Sequence, residues 1–201
     1  TSIVSFSRNG AQSPGTYVGS DGLIKTAAVN LALYSEQFDV GWDGASSLEP
    51  VIGDATQAPD GTSTADKIIP DTDSTPHRIS QTVTSTTGTF SVYAKAAGYD
   101  KIMLFTSKGY GFDLSSGTTF AVAGPITPAD GFGIEDVGNG WYRCWIYSSA
   151  SFTATQVYPL YSTAYGSYTG DGTSGIYIWG AQLQEGSTAT AYIKTESLQV
   201  A

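Results

Sequence analysis

This sequence of 201 residues is poor in helix-forming residues and in positive charge. It contains only five Glu and three Arg, and its charged fraction of 13% is about half the usual share. Because helices draw on Ala, Leu, Glu, Lys and Arg, this composition excludes a mostly helical protein. Nine basic residues against eighteen acidic ones give a net charge of −9. Nucleic-acid and anionic-membrane binding begin with clustered Lys and Arg, so we expect neither partner.

Cysteine and long apolar runs are also scarce. Cys144 is the single cysteine, so the sequence offers no intrachain disulfide and no cysteine-based zinc site. No apolar run reaches the roughly eighteen residues of a membrane span, and no charged and then apolar leader follows Thr1. We therefore expect a fold held by packing alone, with no signal peptide and no membrane insertion.

Residues typical of strands and tight turns take the place of the missing helix formers. Gly, Ser and Thr make up 73 of the 201 residues, and thirteen Tyr and four Trp accompany them. Short runs rich in Val, Ile, Thr and Tyr alternate with turn residues, which favours an all-β, antiparallel β-sandwich. The predicted strands are 31–38, 67–69, 78–84, 88–96, 101–106, 111–114, 134–137, 141–149, 156–161, 175–183 and 191–193.

Turn signals are densest at the start of the chain. Asn9-Gly10 and Ser13-Pro14-Gly15 interrupt short β-like pieces, which leaves room only for hairpins or an extended arm. We therefore predict an N-terminal arm or connector over residues 1–30 and a sandwich module over residues 31–201.

The alternation of side chains assigns the faces of three predicted strands. The side chains predicted to face the core are Phe90, Val92 and Ala94 in the first, Tyr142, Cys144 and Ile146 in the second, and Tyr177, Trp179, Ala181 and Leu183 in the third. The opposite faces carry an unusual set of aromatic and polar side chains. The residues of that set that we select as a candidate site are Trp145, Tyr147, Arg143, Tyr93, Lys95 and Gln182.

The candidate set suits a carbohydrate ligand. Trp145 and Tyr147 are two residues apart on one strand face and so about 7 Å apart, with Arg143 beside them. Sugars offer apolar C–H faces to flat aromatic rings and hydroxyls to guanidinium, amide and carboxylate groups. If the strands are neighbours, these side chains form a stacking platform edged by donors. The alternative is a face covered by the N-terminal arm or a neighbouring subunit, since aromatic residues also mark protein interfaces.

Five segments, in this order and spacing, resemble a module of tailed-phage virion proteins. They are 30–38 (NLALYSEQF) followed by Trp42, 58–67 (APDGTSTADK), 90–95 (FSVYAK), 138–144 (GNGWYRC) and 176–186 (IYIWGAQLQEG), and residues 15–25 (GTYVGSDGLIK) resemble the segment that precedes this module. The resemblance implies a jelly roll similar to carbohydrate-binding modules of families 4, 9 and 22. It also implies a place on the virion, exposed to the extracellular medium. The partners it implies are a polysaccharide or cell-surface glycan, further copies of the chain, or other virion proteins.

Modules of that kind often hold a structural calcium ion, bound by an acid near the first strand and an Asp pair in the last. Glu36 matches the first position, but residues 180–182 (GAQ) stand where the Asp pair would be. Calcium prefers about six to eight oxygen ligands, so Glu36 would belong to a weak site, and we expect no other cofactor. An acidic stretch without the glycine spacing of a calcium loop is interpreted as a solvated connection: Asp54, Asp60, Asp66, Asp71 and Asp73.

Catalysis has less support in the sequence than binding. A glycosidase needs two facing carboxylates, and the strand-end candidates stand beside turns, where acids bond the local backbone: Asp100, Asp113, Glu135 and Asp136. His77, the single histidine, is interpreted as exposed polar surface, and Cys144 as a small buried hydrophobe. We therefore predict a non-catalytic glycan-binding module. The alternatives are a structural decoration or oligomerisation module and, last, a polysaccharide-active enzyme.

A calcium chelator is expected to leave the melting temperature nearly unchanged, because the second half of the calcium site is missing. A calcium site at a hundredfold excess over its Kd would stabilise the fold by about 2.7 kcal/mol. Calorimetry with and without chelator measures the difference. A fall of several degrees would show that the interpretation of the Gln182 position is wrong.

Overall fold

The computed structural model describes residues 16–18, 22–26, 29–44 and 47–197, which contain eleven strands. Within these ranges no residue is helical, and so none of them forms a helix able to cross a membrane. The predicted all-β class is confirmed. The strands are β1 (Thr16–Val18), β2 (Ile24–Thr26), β3 (Ile52–Thr56), β4 (Ala65–Ile68), β5 (Ile79–Ala97), β6 (Lys101–Phe105), β7 (Gly109–Asp113), β8 (Thr118–Phe120), β9 (Gly131–Gly138), β10 (Trp141–Leu160) and β11 (Gly175–Gln184).

The strands form two antiparallel sheets. β1 and β2 pair with each other as a hairpin in the part of the chain predicted to be an arm. The other nine form one sheet in the order β3-β4-β11-β5-β10-β6-β7-β8, with β9 added on β10. Asn9-Gly10 and Ser13-Pro14-Gly15, the turns predicted before the hairpin, lie outside the described residues.

Two long strands, β5 with 19 residues and β10 with 20, organise the large sheet. They pair from Trp141 opposite Lys95 to Val157 opposite Ile79. The first half of β10 also pairs with β9 and its second half with β6, while the last half of β5 pairs with β11. Register shifts on either side of Phe152 bend the two strands together. The sheet therefore folds over on itself.

The two halves of the folded sheet enclose one core. Ile178 of β11 in one half belongs to the same cluster as Leu104 of β6 and Phe112 of β7 in the other, and all three are fully buried. Each such side chain stabilises the fold by roughly 1.5–3 kcal/mol. Tyr110 of β7 stacks on Phe132 of β9 with ring centroids 3.5 Å apart. The halves thus face each other as the layers of a sandwich do.

Residues 31–38 are not a strand, contrary to the prediction. Asn30 is fully buried and donates to the carbonyl oxygens of Ala181 and Ile193 at 2.9 and 2.8 Å, and it accepts two backbone amides. Tyr34 has a left-handed φ of 50°, which interrupts any extended run. The segment satisfies its backbone through side chains, the C-terminal part of the chain and two scattered backbone hydrogen bonds to β11, between Leu31 and Leu183 and between Ala181 and Ser35, and not through a continuous strand ladder.

Other strand boundaries also differ from the prediction. The predicted strands 78–84 and 88–96 are one strand, β5, and the predicted strands 141–149 and 156–161 are one strand, β10. Bulges bend these strands without ending them. Residues 191–193 are not a strand, and the short strands β3 and β8 were not predicted.

A bulge in β11 inverts part of a predicted face. Gly180 has a left-handed φ of 63°, and the register with β5 shifts between Trp179 and Gln182. Tyr177 and Trp179, predicted to face the core, therefore lie on the outer side of the sheet. The β11 residues in the core are Ile176 and Ile178 before the bulge and Ala181 and Leu183 after it.

Asp66 of β4 ties the irregular segment 29–44 to the sheet. Its carboxylate accepts the backbone amides of Phe38 at 2.6 Å and Asp54 at 2.9 Å. Asp66 is 2% exposed and so does not belong to a solvated connection, contrary to the prediction. Burial raises the pKa of Asp66 from 3.8 to about 6, although the two amide hydrogen bonds oppose the shift.

Ionisation of Asp66 is expected to weaken the fold as the pH rises. Between its unfolded pKa of 3.8 and its folded pKa of about 6, the folded chain holds a proton that the unfolded chain has lost. The stabilisation is therefore present at low pH and lost as the pH rises through about 6.

Asp66→Asn stays neutral at every pH, so it does not lose this stabilisation. Between pH 4 and pH 7 the unfolding free energy of the wild type should therefore fall by about 2 kcal/mol relative to that of the variant. Asn has one side-chain oxygen where Asp66 has two, so one of the two backbone amides loses its acceptor. This loss lowers the unfolding free energy of the variant by the same amount at both pH values. Urea unfolding at both pH values measures the difference. A gap between the two proteins that is the same at pH 4 and pH 7 would contradict the shifted pKa.

Candidate functional site

The outer surface of β11, β5, β10 and β9 brings most of the predicted site residues together. Arg143 of β10 lies opposite Tyr93 of β5, and Trp145 lies opposite Ser91. Gln182 of β11 pairs with Ser91 from the other side. Long-range pairing thus unites three strands that the sequence could only assume to be neighbours. We refer to this surface as the β5–β10 face, defined by Tyr93, Lys95, Arg143, Trp145 and Tyr147.

Trp145 lies over two glycines of the neighbouring strand β9. Its cross-strand partner is Gly133, where a β-carbon would lie only 2.6–2.8 Å from the indole atoms Nε1, Cε2 and Cζ2. At Gly131 a β-carbon would lie 3.5 Å from the ring, an ordinary contact. Gly133 therefore leaves the space that the indole occupies. Glycines at alternate positions of a strand indicate such a close approach, a signal that face assignment by side-chain alternation alone does not use.

The four Trp residues differ in whether the fold uses their indole N–H groups. The three that donate within the protein are Trp42 to the Tyr34 carbonyl at 3.2 Å, Trp141 to the Gln57 carbonyl at 3.1 Å, and Trp179 to the Thr64 hydroxyl at 2.9 Å. These three are buried, whereas Trp145 is half-buried and has no acceptor among the described residues. Trp145 thus retains an unused donor and accessible ring surface.

Arg143 is buried beside Trp145 without an anionic partner. It is 8% exposed; its Nη2 donates to the Ser91 hydroxyl at 3.3 Å, and its guanidinium carbon lies 5.4 Å from the centroid of the Tyr93 ring. Its Nε is sealed from solvent with no acceptor, and it forms no ion pair in the described part of the chain. Burial raises the pKa of Tyr93, and the Arg143 charge opposes that shift. A buried charge with so few partners is costly, so a group that supplies acceptors here would be stabilising.

The C-terminal segment 188–195 covers the β11 side of the face. Tyr192 packs on Trp179 and Tyr93, with ring centroids 4.6 and 6.1 Å apart. Gln182 is 1% exposed, and its amide bonds the backbone of this segment at 3.2 and 2.7 Å. Gln182 therefore faces outward from the sheet but not into solvent, contrary to the expected platform. Its amide anchors the covering segment.

The end of the face at Trp141 is covered as well. Trp141 is 1% exposed and packs with Ala58, Ala65 and Trp179. Lys95, its cross-strand partner, is half-buried. The accessible part of the β5–β10 face is therefore the stretch of β10 around Trp145 and Tyr147, both half-buried, with the edge of Arg143 beneath.

Glu36, the predicted metal ligand, holds the C-terminal segment in place. It is 6% exposed; Oε2 accepts from Lys194 Nζ at 2.8 Å, and Oε1 accepts the Tyr192 hydroxyl at 3.1 Å. The hydrogen bond to Glu36 raises the pKa of Lys194, and burial raises the pKa of Tyr192. Both carboxylate oxygens thus have partners. Among the described residues, no three His, Cys, Asp or Glu side chains converge as a metal site.

Three of the four acids considered for catalysis make local contacts, and the fourth, Glu135, is exposed on β9 opposite Arg143. Lys101 Nζ lies 2.9 Å from Asp100 and 3.2 Å from Asp113. Burial raises the pKa of Asp113, but hydrogen bonds from the serines that follow it and from Lys101 outweigh burial and lower the pKa to about 2. Asp136 accepts the amide of Gly138, as turn acids do. A carboxylate ionised above about pH 2 cannot be the proton donor of a glycosidase.

His77 and Cys144 are both buried, at 1% and 0% exposure. The prediction of an exposed His77 was wrong: its ring nitrogens lie 2.5 and 2.8 Å from the carbonyl oxygens of Ser47 and Tyr168. His77 thus joins two loops. The prediction for Cys144 is confirmed, and burial raises the pKa of its thiol, which suppresses the reactive thiolate.

No protein-family model matches this sequence, and no curated protein is significantly similar to it. The likeness to tailed-phage modules therefore rests on the segments quoted above. The geometry of the β5–β10 face is the main basis for a functional proposal.

Gly133→Ala is expected to displace the Trp145 indole, because the added β-carbon would overlap ring atoms. Overpacking of this kind costs about 1–3 kcal/mol unless the ring swings away. Gly131→Ala is the matched control, since its β-carbon meets nothing closer than 3.4 Å. Tryptophan fluorescence and urea unfolding measure both effects. Identical behaviour of the two variants would contradict the placement of the indole.

Proposed function

We propose that this protein is a non-catalytic carbohydrate-binding module that holds a glycan on the accessible part of the β5–β10 face. The observation that carries the proposal is Trp145. Its N–H and part of its ring are not used by the described fold, and it stands between Arg143 and Tyr147 on one strand face.

The chemistry of this stretch suits a sugar ring. Trp145 and Tyr147 offer aromatic surface about 7 Å apart, a spacing set by the strand. The indole N–H and the guanidinium edge of Arg143 supply donors for sugar oxygens. Because these side chains project from paired strands in the centre of a sheet, little conformational freedom is lost when a ligand binds.

Two alternatives fit the face less well. A structural or oligomerisation module would cover Trp145 with apolar groups of a neighbour and would leave the N–H groups of Arg143 without acceptors. A glycosidase would need two facing carboxylates, one of them held protonated; Asp113 is held ionised, Asp136 bonds a turn, and Glu135, the acid opposite Arg143, is exposed to solvent.

The sequence resemblance supports a wider setting for this module. Under this proposal it belongs to a structural protein of a tailed-phage particle, exposed to the medium, where it grips host or environmental glycans. Two of the resembling segments, 30–38 and 176–186, are hydrogen-bonded to each other through Asn30. Their joint occurrence in one chain therefore has a physical reason.

Trp145→Ala is expected to abolish most glycan binding at little cost in stability, because a few aromatic residues dominate affinity at such sites. Trp179→Ala is the control: Trp179 is 3% exposed, and its loss should cost roughly 3–5 kcal/mol. A glycan array and thermal unfolding measure both variants.

Three outcomes would count against the proposal. If Trp145→Ala unfolds the protein and Trp179→Ala only loses ligand, Trp179 and not Trp145 lies in the open part of the face. If the wild type binds no glycan on the array, the structural alternative replaces the binding function. If reducing sugars are released from a polysaccharide panel, the enzyme alternative replaces it.

A further inference from the structure

We infer that the glycan held by this face is acidic, with a sugar carboxylate bound to Arg143. This inference rests on the carbohydrate-binding function proposed above and names the class of its ligand. It depends on three features of the face: the unmet donors of one buried cation, the unpaired basic residues around it, and the position of the nearest acid.

Arg143 has more donors than the fold uses. A guanidinium carries five N–H groups, and within the described residues Arg143 makes one hydrogen bond, from Nη2 to Ser91. Nε is sealed from solvent without an acceptor, but Nη1 is not among the sealed atoms and so reaches the surface. A planar carboxylate that meets Nη1 and Nη2 from outside gains two charge-assisted hydrogen bonds. It would also neutralise the charge of a residue that is only 8% exposed.

Basic residues collect on this face without carboxylate partners. Lys67 of β4 lies opposite Tyr177 of β11, which lies opposite Lys95 of β5. Lys95 and Arg143 are diagonal neighbours across β5 and β10, a relation that places their Cα atoms about 7–8 Å apart. In the described ranges none of the three bases forms an ion pair; elsewhere Lys101, Lys108 and Lys194 do, and the exposed Arg78 does not.

The unpaired state of these bases is notable because acids outnumber bases two to one, eighteen to nine, in this chain. With two acidic residues for every basic one, most basic side chains would be expected to have an acidic side chain near enough for an ion pair. A face that keeps its positive charges unpaired attracts an anion from outside. Lys67 also lies 5.9 Å from the centroid of the Tyr177 ring and donates to the Thr173 carbonyl, so its ammonium group is positioned by the fold.

The nearest acid limits where the ligand lies. Glu135 of β9 is the cross-strand partner of Arg143 on the side away from β5, and it is exposed. Solvent screens an exposed charge, but a bound anion would still avoid it. The anionic group therefore lies against the accessible edge of Arg143 on the side away from Glu135, with the sugar ring against Trp145.

Calorimetry on the full chain tests this inference. It measures the affinity for polygalacturonate and for alginate, and compares each polymer with its own carboxyl-reduced form. The wild type is expected to bind one of the two acidic polymers at least tenfold more tightly than its reduced form. Arg143→Met should abolish that difference and keep the weaker binding of the reduced form. Lys101→Met, which removes a paired positive charge opposite the other end of β10, should bind as the wild type does.

Thermal unfolding separates a ligand-binding Arg143 from a structural one. Since Arg143→Met removes a buried charge without an ion-pair partner, its melting temperature should equal or exceed that of the wild type. A large fall would assign Arg143 to the fold and overturn the inference. Arg143→Lys keeps the charge but loses the planar fork, and should weaken polyuronate binding at least tenfold; unchanged binding would overturn the carboxylate assignment.

The failures of the two proposals differ. Equal binding of an acidic polymer and its reduced form, or binding of neutral glycans alone on an array, overturns the acidic ligand and leaves the carbohydrate-binding function. Equal binding of dextran sulfate and the polyuronate shows attraction by charge alone and also overturns the carboxylate site. No binding to any glycan overturns both.

Discussion

The continuous pairing of β5 with β10 is the constraint on which the rest of this structure depends. Both halves of the folded sheet contain these two strands, and β9, β6 and β11 attach to them. Because side chains alternate with a period of two, the register that turns Cys144 and Ile146 into the core also turns Arg143 and Trp145 outward. A slip of one residue would exchange the two sets. The core and the proposed binding face are thus fixed by the same backbone hydrogen bonds.

Around Trp145 the fold leaves two side-chain nitrogen donors unused; elsewhere among the described residues, the hydroxyls of Thr75 and Thr155 are sealed without a partner. The other three indole N–H groups have internal acceptors, and the buried amides of Asn30 and Gln182 are each bonded several times. Arg143 instead keeps a sealed Nε without a partner. Native proteins tolerate such groups mainly where function requires them. The coincidence on one strand of an indole N–H without an acceptor and a guanidinium with a single hydrogen bond therefore supports a polar ligand more than an apolar neighbour.

Local patterns in the sequence predict the strand class and the faces of β5 and β10, where the core residues Phe90 and Ile146 stand as expected. The inverted half of β11 had a local signal too, since an isolated glycine such as Gly180 inside a strand indicates a bulge. The burial of Gln182 had no local signal in the sequence. It depends on a C-terminal segment that folds back over the sheet, and this segment is held by Glu36, 158 residues before its partner Lys194. Contacts over such separations are absent from any local pattern, so the covered and open parts of the face could not be told apart.

The central claim is that Trp145 and Arg143 form the part of this surface that contacts a sugar. Indole N–H resonances in a nitrogen-15-labelled sample report on it directly, because the four Trp residues give four separate signals. On titration with an oligouronate, the account predicts a large shift of the Trp145 signal together with the side-chain Nε signal of Arg143, and small shifts for Trp42, Trp141 and Trp179. Shifts confined to the three buried Trp residues, or a Trp145 signal that does not respond to any bound oligosaccharide, would contradict it.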